Sequence, residues 1–589
     1  MVKRIFDIVE RQLSAFNKEI SLAYKVEGQW KTFSSADFKE QANLISCGLL
    51  ALGMKKDDKI AIISNNRPEW NFTDIGAQQI GSIIVPMYTS VSPADYKFIL
   101  NDSSSRIIFC GDKELYNKVM AVRSELTSVE HIYTFDKVDG AEHWSEVTEL
   151  GKKNFNSTKL QEMMNVVSHE DIATILYTSG TTGTPKGVML THDNIISNVS
   201  ATERLMPVNQ EHRALSFLPL CHSYERMLTY LYMHYGISIY YAESMDKIAD
   251  NLKEVKPAIF STVPRLLEKV YDKIVERGKA LTGVKKSLFF WALNLGLRYE
   301  LNGANGWWYE AQLKLANKLI FNKWREALGG NVRVIVSGSA ALQPRLARVF
   351  WAAHITVLEG YGLTETSPVI AVNNLEKNAA HFGTVGPVID GVSVKIAEDG
   401  EILVKGPNVM KGYYKRPDLT DEVIDKEGWF HTGDIGTMVD DRFLKITDRK
   451  KEIFKTSGGK YIAPQMIENR LKESSFIEQV MVIGEHQKFP AALIVPAFLY
   501  LKKWCEENGI PEAANEELIK NPKIIEAVKQ AVDKCNSDLG SFEQIKKFEL
   551  LPREWTIDSG ELTATLKMKR KVIMEHNKSQ VDKIYGQQM

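Results

Sequence analysis

The chain has 589 residues, with Lys plus Arg equal to Asp plus Glu at 74 each, 44% apolar residues and 25% charged residues. That length exceeds one typical core, so two or more domains are expected of an ordinary globular composition. The balanced charge argues against nucleic acid as the main partner. Cys47, Cys110, Cys221, Cys505 and Cys535 lack metal-type spacing, so they read as free thiols of a reducing compartment.

Strand-like runs alternate with helical stretches from about residue 36. Lys59–Ser64 is a strand before a helix near Pro68, and Arg106–Cys110 and Ile172–Leu176 are further strands. A helix is expected at Thr191–Ala201, then strands at Ala258–Phe260 and Arg333–Val336. Strands separated by ten or more helical residues imply parallel sheets with helices on their faces. Between them, 285–325 concentrates four of the eleven tryptophans. It reads first as a buried helical pair with aromatic anchors. Lys285, Lys286 and Arg298 beside apolar residues also fit a helix lying on a membrane. Residues 392–447 hold short strands and Gly turns, which suggests a small β-barrel-like subdomain. After Arg449 comes an α+β region with a strand pair at Gln479–Gly484 and Ala491–Val495.

The run Tyr177-Thr-Ser-Gly-Thr-Thr-Gly-Thr-Pro-Lys-Gly-Val188 is the most informative stretch. Read as strand, Gly-hydroxyl loop, then helix, it has the layout of a polyphosphate cradle, with Lys186 as a compact positive charge. It is not the P-loop pattern, whose Lys directly precedes Ser or Thr. Val336–Leu342 ends a strand with small residues, where ligands of open α/β sheets bind. Asp434 is suited to a diol, being an acceptor with two oxygens.

Five further motifs follow in order: Glu359-Gly-Tyr-Gly-Leu-Thr-Glu365, Gly400–Gly406, Gly428-Trp-Phe-His-Thr-Gly-Asp434, Asp448–Glu452 with Ser457–Lys460, and Leu562-Thr-Ala-Thr-Leu-Lys-Met-Lys-Arg570. With the first loop, this series resembles the adenylate-forming enzymes over residues 20–575, and Leu566 before Lys567 looks like their long-chain fatty acyl-CoA synthetase branch. The resemblance implies an α/β N-terminal domain at 1–448, with two helix-flanked sheets, and a smaller mobile α+β domain at 449–589. It implies ATP, Mg²⁺ and CoA, and a fatty acid activated through an acyl-adenylate. Thr178, Ser179, Gly180, Thr181, Thr182, Gly183 and Lys186 would hold the β- and γ-phosphates. Glu365, aided by Thr178, would hold Mg²⁺, and Thr364 would touch the α-phosphate. Tyr361, with Glu359, Gly360 and Gly362, would face adenine beside Gly338, Ser339 and Ala340. Asp434 would take the ribose hydroxyls, with Arg449, Lys451 and Lys455 in the nucleotide-binding set and Lys451 as the hinge. Lys567 would be the catalytic lysine, and His222 would lie beside the acyl carboxylate and the thiol path. A gating tryptophan of one bacterial long-chain type is replaced here by Arg226.

Two other readings stay open on sequence: a carrier protein as acceptor in place of CoA, and a non-catalytic lipid- or nucleotide-binding relative. The chain opens Met1-Val-Lys-Arg without a long apolar core, and no run approaches the ~20 residues of a spanning helix. A cytoplasmic place is expected, with peripheral contact at the inner membrane face. Oligomeric state is open, a homodimer included.

Overall fold

The computed structural model describes residues 2–179, 185–537, 539–556, 558–563 and 567–586. The chain divides into two compact units: 1–395 with 403–432 and 439–444, and 396–402 with 433–438 and 445–589.

The larger unit carries two eight-stranded sheets. The first runs Val369–Val372, Val357–Gly362, Val334–Ser337, Ile259–Thr262, Arg213–Ser216, Ser238–Tyr241, Leu22–Val26, Gln29–Phe33. Its inner pairs are parallel, and its two edge pairs are antiparallel. The second runs Gly412–Tyr413, Pro185–Thr191, Ile172–Ser179, Ile83–Met87, Lys59–Ile63, Ser105–Cys110, His131–Thr134, Glu142–His143.

Strands covered on both faces need apolar residues at every position. Lys59–Ile63 shows how two faces share them. Ile60 and Ile62 point into one apolar cluster, and Ala61 and Ile63 into another. The first cluster joins the two sheets through the helices Pro68–Gln79 and Ser223–His234, which are buried along their whole length. Trp70, Phe72, Met227 and Leu228 of these helices meet Ile60 of one sheet and Ala214 and Ile259 of the other. Tyr96 and Leu115 cover the outer face of the second sheet. Phe289, Leu313 and Phe350 cover that of the first.

The aromatic segment contributes to this outer layer through the helices Gly283–Leu297, Trp307–Ala316 and Asn322–Ala327. Phe289, Tyr309 and Trp324 are buried anchors, whereas Trp307 and Trp308 are 80% and 63% exposed. The strands expected at 392–447 form an open sheet of four, ordered Ser393–Ile396, Glu401–Lys405, Phe430–Val439, Phe443–Arg449. One short strand of this region, Gly412–Tyr413, leaves it to pair with Pro185–Thr191.

The smaller unit has its own core. The expected strand pair is Ile477–Ile483 with Ala491–Pro496, antiparallel, and Lys547–Leu550 adds a parallel third strand. Among the described residues, no helix is long and apolar enough to cross a membrane.

Candidate active site

The phosphate-loop region differs from the strand–loop–helix expectation. Ile172–Ser179 returns as the antiparallel strand Pro185–Thr191, with Thr178 opposite Lys186 and Ser179 opposite Pro185. The helix begins only at His192, capped by Thr191 through a reciprocal bond with Asn194. Val188 and Leu190 are buried with strand alternation, and this period-two pattern decides the conformation. A strand therefore stands between the loop and the helix, in place of the direct loop-to-helix step that the sequence suggests. Gly180, Thr181, Thr182 and Gly183 lie outside the described residues.

The hairpin is tied to the Glu365 motif through Tyr413. Lys186 Nζ lies 5.1 Å from the Tyr413 ring centroid, over its face. The Tyr413 hydroxyl donates to Glu365 Oε1 at 3.0 Å. Burial first, and the Glu365 charge second, push this phenol up, so the hydroxyl keeps its proton and remains a donor. The Glu365 carbonyl accepts from Met410 N at 2.8 Å. Sequence reasoning missed Tyr413, which stands 48 residues from its carboxylate partner and belongs to no motif.

Thr364, one residue earlier, brings its Oγ1 to 3.4 Å from Ser223 Oγ. Ser223 opens the buried helix, and His222 caps it, with Nδ1 accepting from Tyr224 N at 3.1 Å. A neutral imidazole accepting at Nδ1 carries its proton on Nε2. The His222 ring meets the Tyr88 ring edge-on at 6.5 Å.

Tyr224 leads from this point to the strand ends. Its hydroxyl donates to Val336 O at 2.9 Å. Its ring crowds position 338, where a Cβ would lie 3.2 Å from Cζ. Gly338 is buried, while Ser339, with φ +70°, and Ala340 are exposed. On the neighbouring strand, Glu359 is 6% exposed and accepts from Leu342 N at 3.3 Å. Burial pushes its carboxyl up to about 8, so it is protonated at neutral pH. Gly360 pairs with Val372 across the antiparallel edge, and Tyr361 is half-buried beside it. Gly362 admits no side chain, since a Cβ would fall 1.7 Å from Pro368 O. These groups line the carboxyl ends of Val334–Ser337 and Val357–Gly362, the ligand-binding edge of a parallel sheet.

Arg226 is not at this edge. It is fully buried, paired with Asp74, and bonded to Thr174 Oγ1 and the Tyr230 hydroxyl, each at 2.7 Å. Its place in the motif is therefore taken by a structural cation.

In the smaller unit, Arg449 Nε lies 3.1 Å from Asp434 Oδ1. Lys450 pairs with Asp399 and Glu401, and its N donates to Gly433 O at 2.9 Å. Lys451 is exposed in the following turn. Lys455 is also exposed, with Nζ 5.2 Å from the Tyr461 ring centroid. Lys567 is exposed and bonded to Thr563: Thr563 N donates to Lys567 O at 2.8 Å, and Lys567 N donates to Thr563 Oγ1 at 3.0 Å.

The sequence pattern of AMP-binding enzymes matches residues 9–414, and that of the AMP-binding enzyme C-terminal domain matches 451–589. The chain belongs to the AMP-binding enzyme family. It is 33% identical to the long-chain-fatty-acid–CoA ligase FadD15 of Mycobacterium bovis, covering 96% of this chain and 94% of that protein. It is 34% identical to the human long-chain-fatty-acid–CoA ligase 1, covering 93% of this chain and 82% of that protein. Its fold is shared with O-succinylbenzoate coenzyme A synthetase of Bacillus subtilis, solved with ATP and magnesium ion. That match has a TM-score of 0.67 at 21% identity, and covers 96% of this chain and 98% of that one.

Proposed function

We propose that this family member is an AMP-forming long-chain fatty acid–CoA ligase. It joins a fatty acid to CoA through an acyl-adenylate, releasing pyrophosphate and then AMP. The observation that carries the reading is likeness along nearly the whole chain to ligases of that name. Its chemistry fits the connected set Lys186, Tyr413, Glu365, Thr364, Ser223 and His222.

A carboxylate resists attack by a thiol because oxide is a poor leaving group. In the first half-reaction a carboxylate oxygen attacks the α-phosphorus of ATP, and the bond to pyrophosphate breaks. In the second, the CoA sulfur attacks the carbonyl carbon and AMP leaves with the electron pair. The hairpin bearing Thr178, Ser179 and Lys186 holds the outer phosphates. Thr364 meets the α-phosphate, and the edge from Gly338 to Ala340 with Glu359 to Gly362 takes adenine. Glu365 with Thr178 offers oxygen ligands, which suit a hard cation that keeps several waters and shares its ligands with phosphates. Mg²⁺ bound there supplies positive charge to the phosphate oxygens. Asp434, backed by Arg449, accepts the ribose hydroxyls. Lys567 places fixed charge between carboxylate and α-phosphate as negative charge builds, and so favours the transition state. His222 stands on the path of the acid and the thiol.

The two half-reactions need the same space for lysine and for thiol. We therefore assign 1–448 as the substrate-binding domain and 449–589 as a mobile domain that turns about Lys451 and withdraws Lys567 before CoA enters. Acid-dependent exchange of labelled pyrophosphate into ATP, followed by AMP release over a ladder of saturated acids, tests the reading. Offering CoA and acyl carrier protein separately decides the acceptor. Absence of exchange with every acid from medium to very long chain overturns the function.

The exposed face of Trp307–Phe321 supports peripheral membrane contact. Trp308, Leu315 and Leu319, spaced by seven and four, lie 63%, 50% and 40% exposed along one helical face beside Trp307. Exposed Lys314 and Lys318 border this stripe, as in helices that lie on anionic lipid. Vesicles containing phosphatidylglycerol should sediment the wild type and not a Trp307→Ser/Trp308→Ser variant. Equal sedimentation of both proteins rules the face out.

A further inference from the structure

Arg570 stands three residues after Lys567, at the start of the helix Arg570–His576. Its guanidinium makes four bonds. Nη2 donates to both carboxylate oxygens of Glu468, at 2.7 and 2.8 Å. Nε donates to Glu452 Oε2 at 3.0 Å, and Nη1 to Val482 O at 3.2 Å. Glu468 is 1% exposed, and its Oε1 also accepts from Val482 N at 2.7 Å, which fixes it to the central sheet of the unit. Glu452 is the last residue of the Asp448–Glu452 linker motif, so one planar cation binds the lysine segment to both the sheet and the linker.

The chain before Lys567 is pinned in the same way. Glu561 is fully buried, within 3.0 Å of both Arg553 Nη2 and His576 Nδ1, and accepts from Ser559 Oγ at 2.7 Å. Lys569 N then donates to Glu561 O at 2.8 Å, which joins the two sides. Both sides of the segment bearing Lys567 thus end in charge-assisted anchors. The two anchors differ in what they reach. Glu561 stays within 553–576 of the chain, whereas Arg570 reaches the linker motif, through a residue 118 positions away.

We propose that Arg570 is a positioning residue for adenylate formation. Its fork onto Glu468 and Glu452 holds Lys567, three residues away, at a fixed place relative to the linker, so that turning the linker delivers the ammonium to one point. The proposal rests on the ligase reading and adds to it the group that aims the lysine. Arginine is suited to this task because its fork satisfies two carboxylates in one plane, which an ammonium cannot do. A group bearing a developing charge loses about 10²-fold in rate when misplaced by about 1 Å, so aim decides its value.

The test separates the half-reactions, because Lys567 serves only the first. Arg570→Lys and Glu452→Gln should lower acid-dependent pyrophosphate exchange by about 10- to 100-fold. Thioester formation from supplied acyl-adenylate and CoA should stay within about threefold of wild type. An Arg570→Met/Glu468→Met pair guards against unfolding, since apolar replacement of a buried ion pair is generally tolerated. It should melt as one folded protein and show the same split. Equal losses in both half-reactions, or undiminished exchange, would overturn the positioning role. Wild-type protein without exchange would instead overturn fatty-acid activation itself, so the two failures are distinguishable.

Discussion

Tyr413→Phe removes one oxygen and tests how Glu365 is held. The phenyl ring keeps the apolar contacts and the face that Lys186 Nζ approaches at 5.1 Å. What is lost is the 3.0 Å bond to Glu365 Oε1. A hydrogen bond to a charged group contributes about 1.5–3 kcal/mol. Tyr413 is 7% exposed, so water does not readily replace its hydroxyl, but Glu365 is only partly buried, which places the loss near the lower end. A cost of about 1.5–2 kcal/mol corresponds to a 10- to 30-fold slower adenylation. Pyrophosphate exchange measured against Mg²⁺ concentration should show the slower rate and a higher half-saturating Mg²⁺. The melting temperature should move by only a few degrees. Exchange and Mg²⁺ dependence within twofold of wild type would refute the idea that Tyr413 orients the metal-binding carboxylate.

Glu359→Gln should change how stability varies with pH. The wild-type carboxyl is raised from 4.5 to about 8, so its contribution is complete below about pH 4.5 and is lost as pH climbs towards 8. The glutamine variant should therefore gain on wild type across that window, by on the order of 3–5 kcal/mol in full. A melting-temperature difference that stays flat from pH 5 to pH 9 would contradict this. Lys567→Ala should nearly abolish acyl-AMP formation and leave thioester formation from supplied acyl-AMP largely intact. Equal loss in both steps would show that the lysine has another role. Lys451→Pro should permit adenylation and block thioester formation, because a fixed φ resists the turn at the linker. Normal overall turnover in that variant would count against rotation.

Much of this fold is written locally. Runs such as Lys59-Ile-Ala-Ile-Ile and Arg333-Val-Ile-Val announce buried parallel strands, and the structure has them at Lys59–Ile63 and Val334–Ser337. The hairpin at 172–191 was harder to read, because Pro185-Lys-Gly looks like loop. Its strand character comes from a neighbour far along the chain, Gly412 pairing with Met189 and Tyr413 with Val188. The same distinction governs the site. Glu365 and His222 could be picked out by their motifs. The groups that hold residues in place could not: Tyr413 and the Glu452–Arg570 bond arise only from tertiary pairing. Arg226 shows the converse. Its motif puts it where one bacterial type has a gating tryptophan, and only burial reveals a cation committed to the interior.

That commitment has a consequence for the site. Burying Arg226 and Asp74 removes two charges from water, and such pairs rarely add net stability over apolar packing. Their geometry is what they contribute. Asp74 belongs to the helix Pro68–Gln79, Arg226 to Ser223–His234 and Thr174 to the strand Ile172–Ser179. Thr174 Oγ1 donates onward to Ile84 O at 2.7 Å, and the guanidinium lies 5.2 Å from the Trp70 ring centroid. An apolar contact tolerates sliding by a fraction of a residue. A buried charged network does not, because any slip leaves a buried charge without its partner. The strand therefore carries Thr178 out of a fixed register, and the helix presents His222 and Ser223 out of the same one. The cation that occupies the gate position locks the hairpin of Thr178 and Lys186 to the histidine and hydroxyl cap, which leaves the moving parts of the proposed reaction to the other unit.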